Sequence, residues 1–107
     1  MENIQNYLEN LKGYDYTGKM PVVIDFYATW CGPCKALAPS IERLSKEYDG
    51  RVKVLKVDVD KNQSLAQAAR IMSIPTVFFI DLEGNISRSV GALPYGQLAA
   101  KVEDLLK

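Results

Sequence analysis

Residues 25–39, DFYATWCGPCKALAP, hold both cysteines of the 107-residue chain, Cys31 and Cys34, separated by one glycine and one proline. Two sulfurs at this spacing have three uses: a structural cross-link, half of a metal site, or a reactive pair. As a cross-link the pair is poor, because closing so short a loop removes little entropy from the unfolded chain. As a metal site it is incomplete. A zinc centre usually takes four Cys or His ligands, and the sequence contains no histidine. A metal would have to bridge two chains or recruit carboxylates, so no metal and no other cofactor is expected. Reversible thiol–disulfide exchange is the reading that remains strongest.

The flanking residues support it. VVIDFYA (22–28) is apolar on both faces apart from Asp25, the pattern of a strand covered on both sides. The strand runs out at Thr29 and Trp30, and a helix begins at or near Cys31, with Pro33 suited to its first turn. Amide hydrogens at a helix start lack intrahelical partners and the dipole there is positive, which favours a thiolate on Cys31. Cys34, one turn further along the same face, lies within reach. The helix places Leu37, Ile41, Leu44 and Tyr48 on one side, carries Pro39 inside it where a kink is expected, and stops at Gly50.

Outward from this unit, residues 2–12 set Ile4, Tyr7, Leu8 and Leu11 at helical spacing, with Gly13 as a stop. VKVLKVDVD (52–60) reads as a strand and NQSLAQAARIM (62–72) as a short helix. TVFFID (76–81) and ISRSVG (86–91) flank Glu83, Gly84 and Asn85 as a hairpin. PYGQLAAKVEDLLK (94–107) starts at Pro94 and is expected to bury Leu98, Val102 and Leu105. Strands alternating with helices and ending in a hairpin imply an α/β domain, a central mixed sheet of four or five strands with helices on both faces. The whole of 1–107 reads as one domain of ordinary size.

Thirteen basic and thirteen acidic residues balance, so nothing in the charge invites nucleic acid or an anionic membrane. No apolar run approaches the roughly 20 residues of a spanning helix, and the first residues lack the pattern of a signal peptide. Without histidine, Cys-His and Ser-His-Asp sites of the usual kind are excluded.

Taken together, WCGPC, the preceding DFYA, the later SIPT (73–76) and VGAL (90–93) resemble the thioredoxin family, from about Pro21 to Lys107. The resemblance implies a thioredoxin fold and a bacterial protein-disulfide reductase that is a monomer. It makes Cys31 the exposed nucleophile and Cys34 the buried resolving thiol. A family thiol is known to titrate near pH 7 instead of about 8.5, which raises the thiolate fraction roughly 16-fold but the attack rate only about threefold. The lowered value therefore serves leaving-group ability and redox poise as much as speed. The Gly32-Pro33 pair points to the reducing end of the family's range.

Asp25 lies among apolar residues, where a charge is costly and the carboxyl pKa should rise, as suits a base that takes the Cys34 proton. By resemblance it has that role and Lys56 tunes it; simple pairing of Asp25 with Lys56 is the plainer alternative. Pro75 is implied to be the cis-proline beside the cysteines, with the Ile74 backbone open to an extended substrate. Trp30, Gly32, Pro33, Val59, Ile74, Val90, Gly91 and Ala92 would complete an apolar patch around Cys31. Disulfide-containing proteins are the implied substrates and a thioredoxin-reductase-like enzyme the implied upstream reductant, in the cytoplasm.

The N-terminus departs from the family pattern. MENIQ is too short and polar for the usual first edge strand, so residues 1–20 read as an atypical helix and loop, the strand being absent, trimmed or replaced by YDYTGK. Two alternatives stay open: an exported, periplasmic oxidoreductase whose targeting segment was removed, and a non-catalytic thioredoxin-like docking subunit. Tyr27 stands where many family members have tryptophan.

Overall fold

The computed structural model describes residues 20–107. Strand β1 (Val22–Tyr27) leads into helix α1 (Gly32–Glu47), then β2 (Lys53–Asp58), α2 (Gln63–Ala68), β3 (Thr76–Ile80), β4 (Ile86–Val90) and α3 (Tyr95–Leu105). The expected helix over 2–12 and the question of a first edge strand lie outside the described residues.

The four strands form one mixed sheet in the order β2-β1-β3-β4. β1 pairs parallel with β2, placing Asp25 opposite Lys56, and antiparallel with β3, placing Asp25 opposite Val77. β3 and β4 form the hairpin, with Thr76 opposite Val90. β1 is thus hydrogen-bonded on both edges. The period-2 alternation of its side chains then divides it between two cores.

Val22, Ile24 and Phe26 point to the face covered by α2, where they meet Val57, Leu65, Ala69, Phe78 and Ile80. Val23 points to the opposite face, against Leu37, Ile41 and Leu44 of α1 and Leu98 and Val102 of α3. All four apolar positions expected on α1 are buried, Tyr48 included. Leu105 is only half-buried, because α3 ends there and its last turn meets solvent.

Several element ends differ from the sequence expectation. Pro39 lies inside α1 as expected, its exposed ring removing one hydrogen bond without ending the helix. The helix stops at Glu47, with Tyr48 as its cap donating to Leu44 O. Gly50 instead supplies the left-handed φ of 82° in the turn beyond. α2 ends at Ala68 rather than near Met72, since Arg70 takes a positive φ of 55° and Arg88 of β4 donates to the carbonyls of Ala69 (3.0 Å) and Arg70 (3.2 Å). Pro94 caps α3 from outside. The hairpin turn is organised by a residue before the expected trio: Asp81 Oδ1 accepts from the amides of Glu83 and Asn85, both at 2.9 Å.

Phe78 sits at the middle of the α2-side core, edge-on to Phe26 with ring centroids 4.9 Å apart and under the Arg88 guanidinium. Phe78→Ala removes a fully buried ring from this layer. The expected loss is about 3–5 kcal/mol of unfolding free energy, read by urea denaturation.

Candidate functional site

β1 is followed by a two-residue turn, Thr29 and Trp30, before α1. Cys31 is the N-cap of α1, with extended φ and ψ of −88° and 115°. Its Sγ accepts the Cys34 amide hydrogen at 3.2 Å, one of the helix's otherwise unpaired donors. Cys31 and Cys34 are joined as a disulfide with Cα atoms 5.3 Å apart. Pro33 occupies the first turn, where its missing N–H costs nothing.

Cys31 is not exposed in this oxidised state: its relative accessibility is 5%, against 4% for Cys34. Tyr27, Val59 and Ile74 pack around the pair. Cys31 Sγ lies 3.9 Å from the Ile74 carbonyl oxygen. A disulfide sulfur has no hydrogen to donate there, whereas a thiol would.

The Ile74–Pro75 peptide bond is cis. Pro75 is buried, and its carbonyl accepts from the Gly91 amide at 2.9 Å, which brings the Val90-Gly91-Ala92 segment beside the loop. Gly91 has a φ of 97°. Val90 and Ala92 are exposed, as are Gly32 and Pro33. Trp30 is 69% exposed, and its Nε1–H donates to Asp60 Oδ2 at 2.8 Å, fixing the indole beside the Val59 segment. The patch residues therefore come from four separate segments that meet around the cysteines.

Asp25 is 1% accessible, and its Oδ1 has no hydrogen-bond partner. Burial pushes its carboxyl up from about 3.8 to about 6, with the Lys56 ammonium pulling it partly back. Although the two residues are register partners, no ion pair within 4 Å joins them; Lys56 is exposed, and its Nζ lies 4.9 Å from the centroid of the Tyr27 ring. The plain pairing of Asp25 with Lys56 is thus not the arrangement found. Among the described residues no group of three or more His, Cys, Asp or Glu side chains is placed to hold a metal ion.

Sequence reasoning missed Asp60, thirty residues from the indole it holds, and the contact between Lys56 and Tyr27. It also missed Met72, 92% exposed in the loop before Ile74. No local signal marks the first two, which arise from packing between distant segments.

The raised Asp25 carboxyl has a consequence for stability. Its folded-state pKa exceeds the unfolded value, so its contribution is fully present below about pH 3.8 and is lost as pH rises through about 6. The full loss is about 3 kcal/mol above pH 7. Asp25→Asn has no such titration. The stability of Asp25→Asn relative to the unsubstituted protein should rise by up to that amount between pH 4 and pH 8, measured by urea denaturation at each pH.

A family profile described as Thioredoxin matches residues 3–104. The chain is similar to the thioredoxin of Borreliella burgdorferi, 46% identical over 85 residues that cover 79% of this chain and 73% of the relative. It is similar to that of Synechocystis sp. at 40% over 88 residues, covering 82% of each. The thioredoxin of Haemophilus influenzae is 44% identical over 80 residues, 75% of each chain. Among solved structures, the crystal structure of chloroplastic thioredoxin z matches with a TM-score of 0.74 at 42% identity, over 80% of this chain and 78% of that one. With the bonded cysteines at the helix start and these matches in hand, the chain belongs to the thioredoxin family: it has the thioredoxin fold and is a thiol–disulfide oxidoreductase of the protein-disulfide reductase kind.

Proposed function

We propose that Cys31 is the attacking sulfur, Cys34 the resolving thiol and Asp25 the proton acceptor for Cys34. The observation that carries this reading is the Cys34 amide directed at Cys31 Sγ from the first turn of α1, a donor that stabilises a thiolate more than a thiol. In the reduced protein the Cys31 thiolate attacks one sulfur of a substrate disulfide. A new Cys31–S bond forms and the substrate's S–S bond breaks, its other sulfur leaving as a thiolate. Cys34 then loses its proton to Asp25 and attacks Cys31 Sγ. The Cys31–Cys34 bond forms, the mixed disulfide breaks, and the second substrate thiolate leaves. Two electrons have passed to the substrate.

The patch of Trp30, Gly32, Pro33, Val59, Ile74, Pro75, Val90, Gly91 and Ala92 receives the polypeptide around its disulfide, through apolar contact and backbone hydrogen bonds. Lys56 tunes Asp25. An upstream reductase of the thioredoxin-reductase type, supplying two electrons, returns the pair to the dithiol. We assign the work to the cytoplasm, a reading supported by the use of both cysteines of the sequence for exchange.

Insulin disulfide reduction coupled to thioredoxin reductase tests the scheme. Cys31→Ser abolishes turnover, and Cys34→Ser arrests it at a mixed disulfide isolable by mass spectrometry. Asp25→Asn slows resolution at pH 7 toward the roughly 100-fold that general-base help contributes. Full activity of Cys31→Ser would sink the assignment of the attacking sulfur. A reduction potential at the oxidising extreme would remove the reductant role and the cytoplasmic placement with it.

A further inference from the structure

β1 and β2 place three groups of complementary chemistry on one face of the sheet. Asp25 and Tyr27 are two residues apart on β1 and so share a face, and Lys56 is the register partner of Asp25. Lys56 makes no ion pair with Asp25, and its ammonium stands 4.9 Å from the centroid of the Tyr27 ring, within the range of a cation–π attraction. Tyr27 itself packs against the Cys31–Cys34 cluster, so the ring is held in place from the side of the reacting sulfurs.

The groups that face this triad are few. β2 adds Asp58, opposite Tyr27 in register, whose Oδ1 accepts from the Asp60 amide. α1 adds Cys34, bonded to Cys31 here, and Lys35 and Glu42, which line a groove with Lys56. β3 sets only Val77 against Asp25. Lys56 is the charged neighbour whose field acts on the Asp25 carboxyl.

Two sites compete for the Lys56 ammonium. The carboxylate is buried, and closing an ion pair there strips the ammonium of water. The ring lies nearer the solvent edge, where the ammonium keeps part of its hydration and the aliphatic stem stays covered. The ring's attraction also persists whether Asp25 is charged or neutral.

We propose that Tyr27 is a positioning residue: its ring holds the Lys56 ammonium at a standoff from Asp25, so that Oδ1 keeps an open lone pair for the Cys34 proton. This rests on the reading of Asp25 as the proton acceptor. At the standoff the cation still favours the ionised carboxylate, but no contact pair has to be broken when the proton arrives. The phenolic hydroxyl plays no part, so an aromatic ring of any kind at position 27 should suffice.

The test is a direct titration of the Asp25 carboxyl carbon by NMR, in the folded full chain. Tyr27→Leu lets Lys56 close on Asp25 and lowers its midpoint by about one unit, whereas Tyr27→Phe leaves it within about 0.3 of the original. Lys56→Gln raises it, and in that background Tyr27→Leu produces no downward shift. A midpoint unmoved or raised by Tyr27→Leu, or a downward shift that persists without Lys56, overturns the proposal, the latter because the ring would then act on Asp25 by packing alone. Should Tyr27→Leu not fold, the Lys56 ε-methylene protons of the unsubstituted protein decide. Shielding by the ring displaces them upfield of the other lysines, and undisplaced protons overturn the proposal. Normal resolution kinetics in Asp25→Asn would instead remove the proton-acceptor reading while leaving the titration result intact.

Discussion

A sulfur atom at the first turn of a helix meets amide hydrogens that the helix cannot pair for itself, and the redox centre depends on that circumstance. Cys31 is the cap of α1 and receives the Cys34 amide. The geometry requires β1 to end at Tyr27, with Ala28 and the Thr29-Trp30 turn before the cap, and α1 to begin immediately after Cys31. Pro33 assists because it preforms the helical φ where an amide hydrogen is dispensable. Gly32 has no heavy atom within 4 Å of where a Cβ would stand, so its backbone is open to an approaching chain.

β1 is the second constraint. It is bonded on both edges and covered on both faces, so every side chain it carries through Phe26 is buried. Placing a carboxyl in such a strand costs stability whenever it is ionised, and the cost appears as the pKa raised to about 6. A core made only for stability would put an apolar residue at position 25. The role proposed for Asp25, a base for Cys34, needs a proton affinity closer to neutral pH than an exposed aspartate offers, and burial supplies it. The same desolvation accounts for both effects, so one cannot be removed while the other is kept.

Much of this was legible in the sequence because it is periodic or local. β1 announced itself as an apolar run, α1 by Leu37, Ile41, Leu44 and Tyr48, and the hairpin by Gly84 and Asn85. Helix ends were the least legible: α2 stops at Ala68, just before the Ala69 and Arg70 carbonyls that accept from Arg88 at the far edge of the sheet. The cis bond at Pro75 came from family resemblance, as no spacing rule distinguishes it from an ordinary strand-start proline. The expected exposure of Cys31 failed because Tyr27, Val59 and Ile74, brought in from three separate segments, pack against the cysteine cluster. The hold of Asp60 on Trp30 and of Tyr27 on Lys56 could not be read at all, because each joins side chains whose meeting is decided by sheet register and tertiary packing.

The shape of the surface bears on how such a protein selects its substrates. Grooves of about 430 and 450 Å³ lie along α1 beside Pro39 and Glu42, on the flank of the helix, and neither is lined by Cys31 or Cys34. Of the patch residues expected around the cysteines, Trp30, Gly32, Pro33, Val90 and Ala92 are exposed. If the proposed patch receives substrate, an apolar rim with backbone acceptors discriminates weakly between side chains but strongly between folded and extended chains, since only the latter present unpaired amides. Selection then falls on whether a disulfide can reach the rim and whether its potential allows it to be reduced. Under the proposed scheme the redox equilibrium, and with it the amide at Cys31 and the carboxyl at Asp25, would carry part of the specificity.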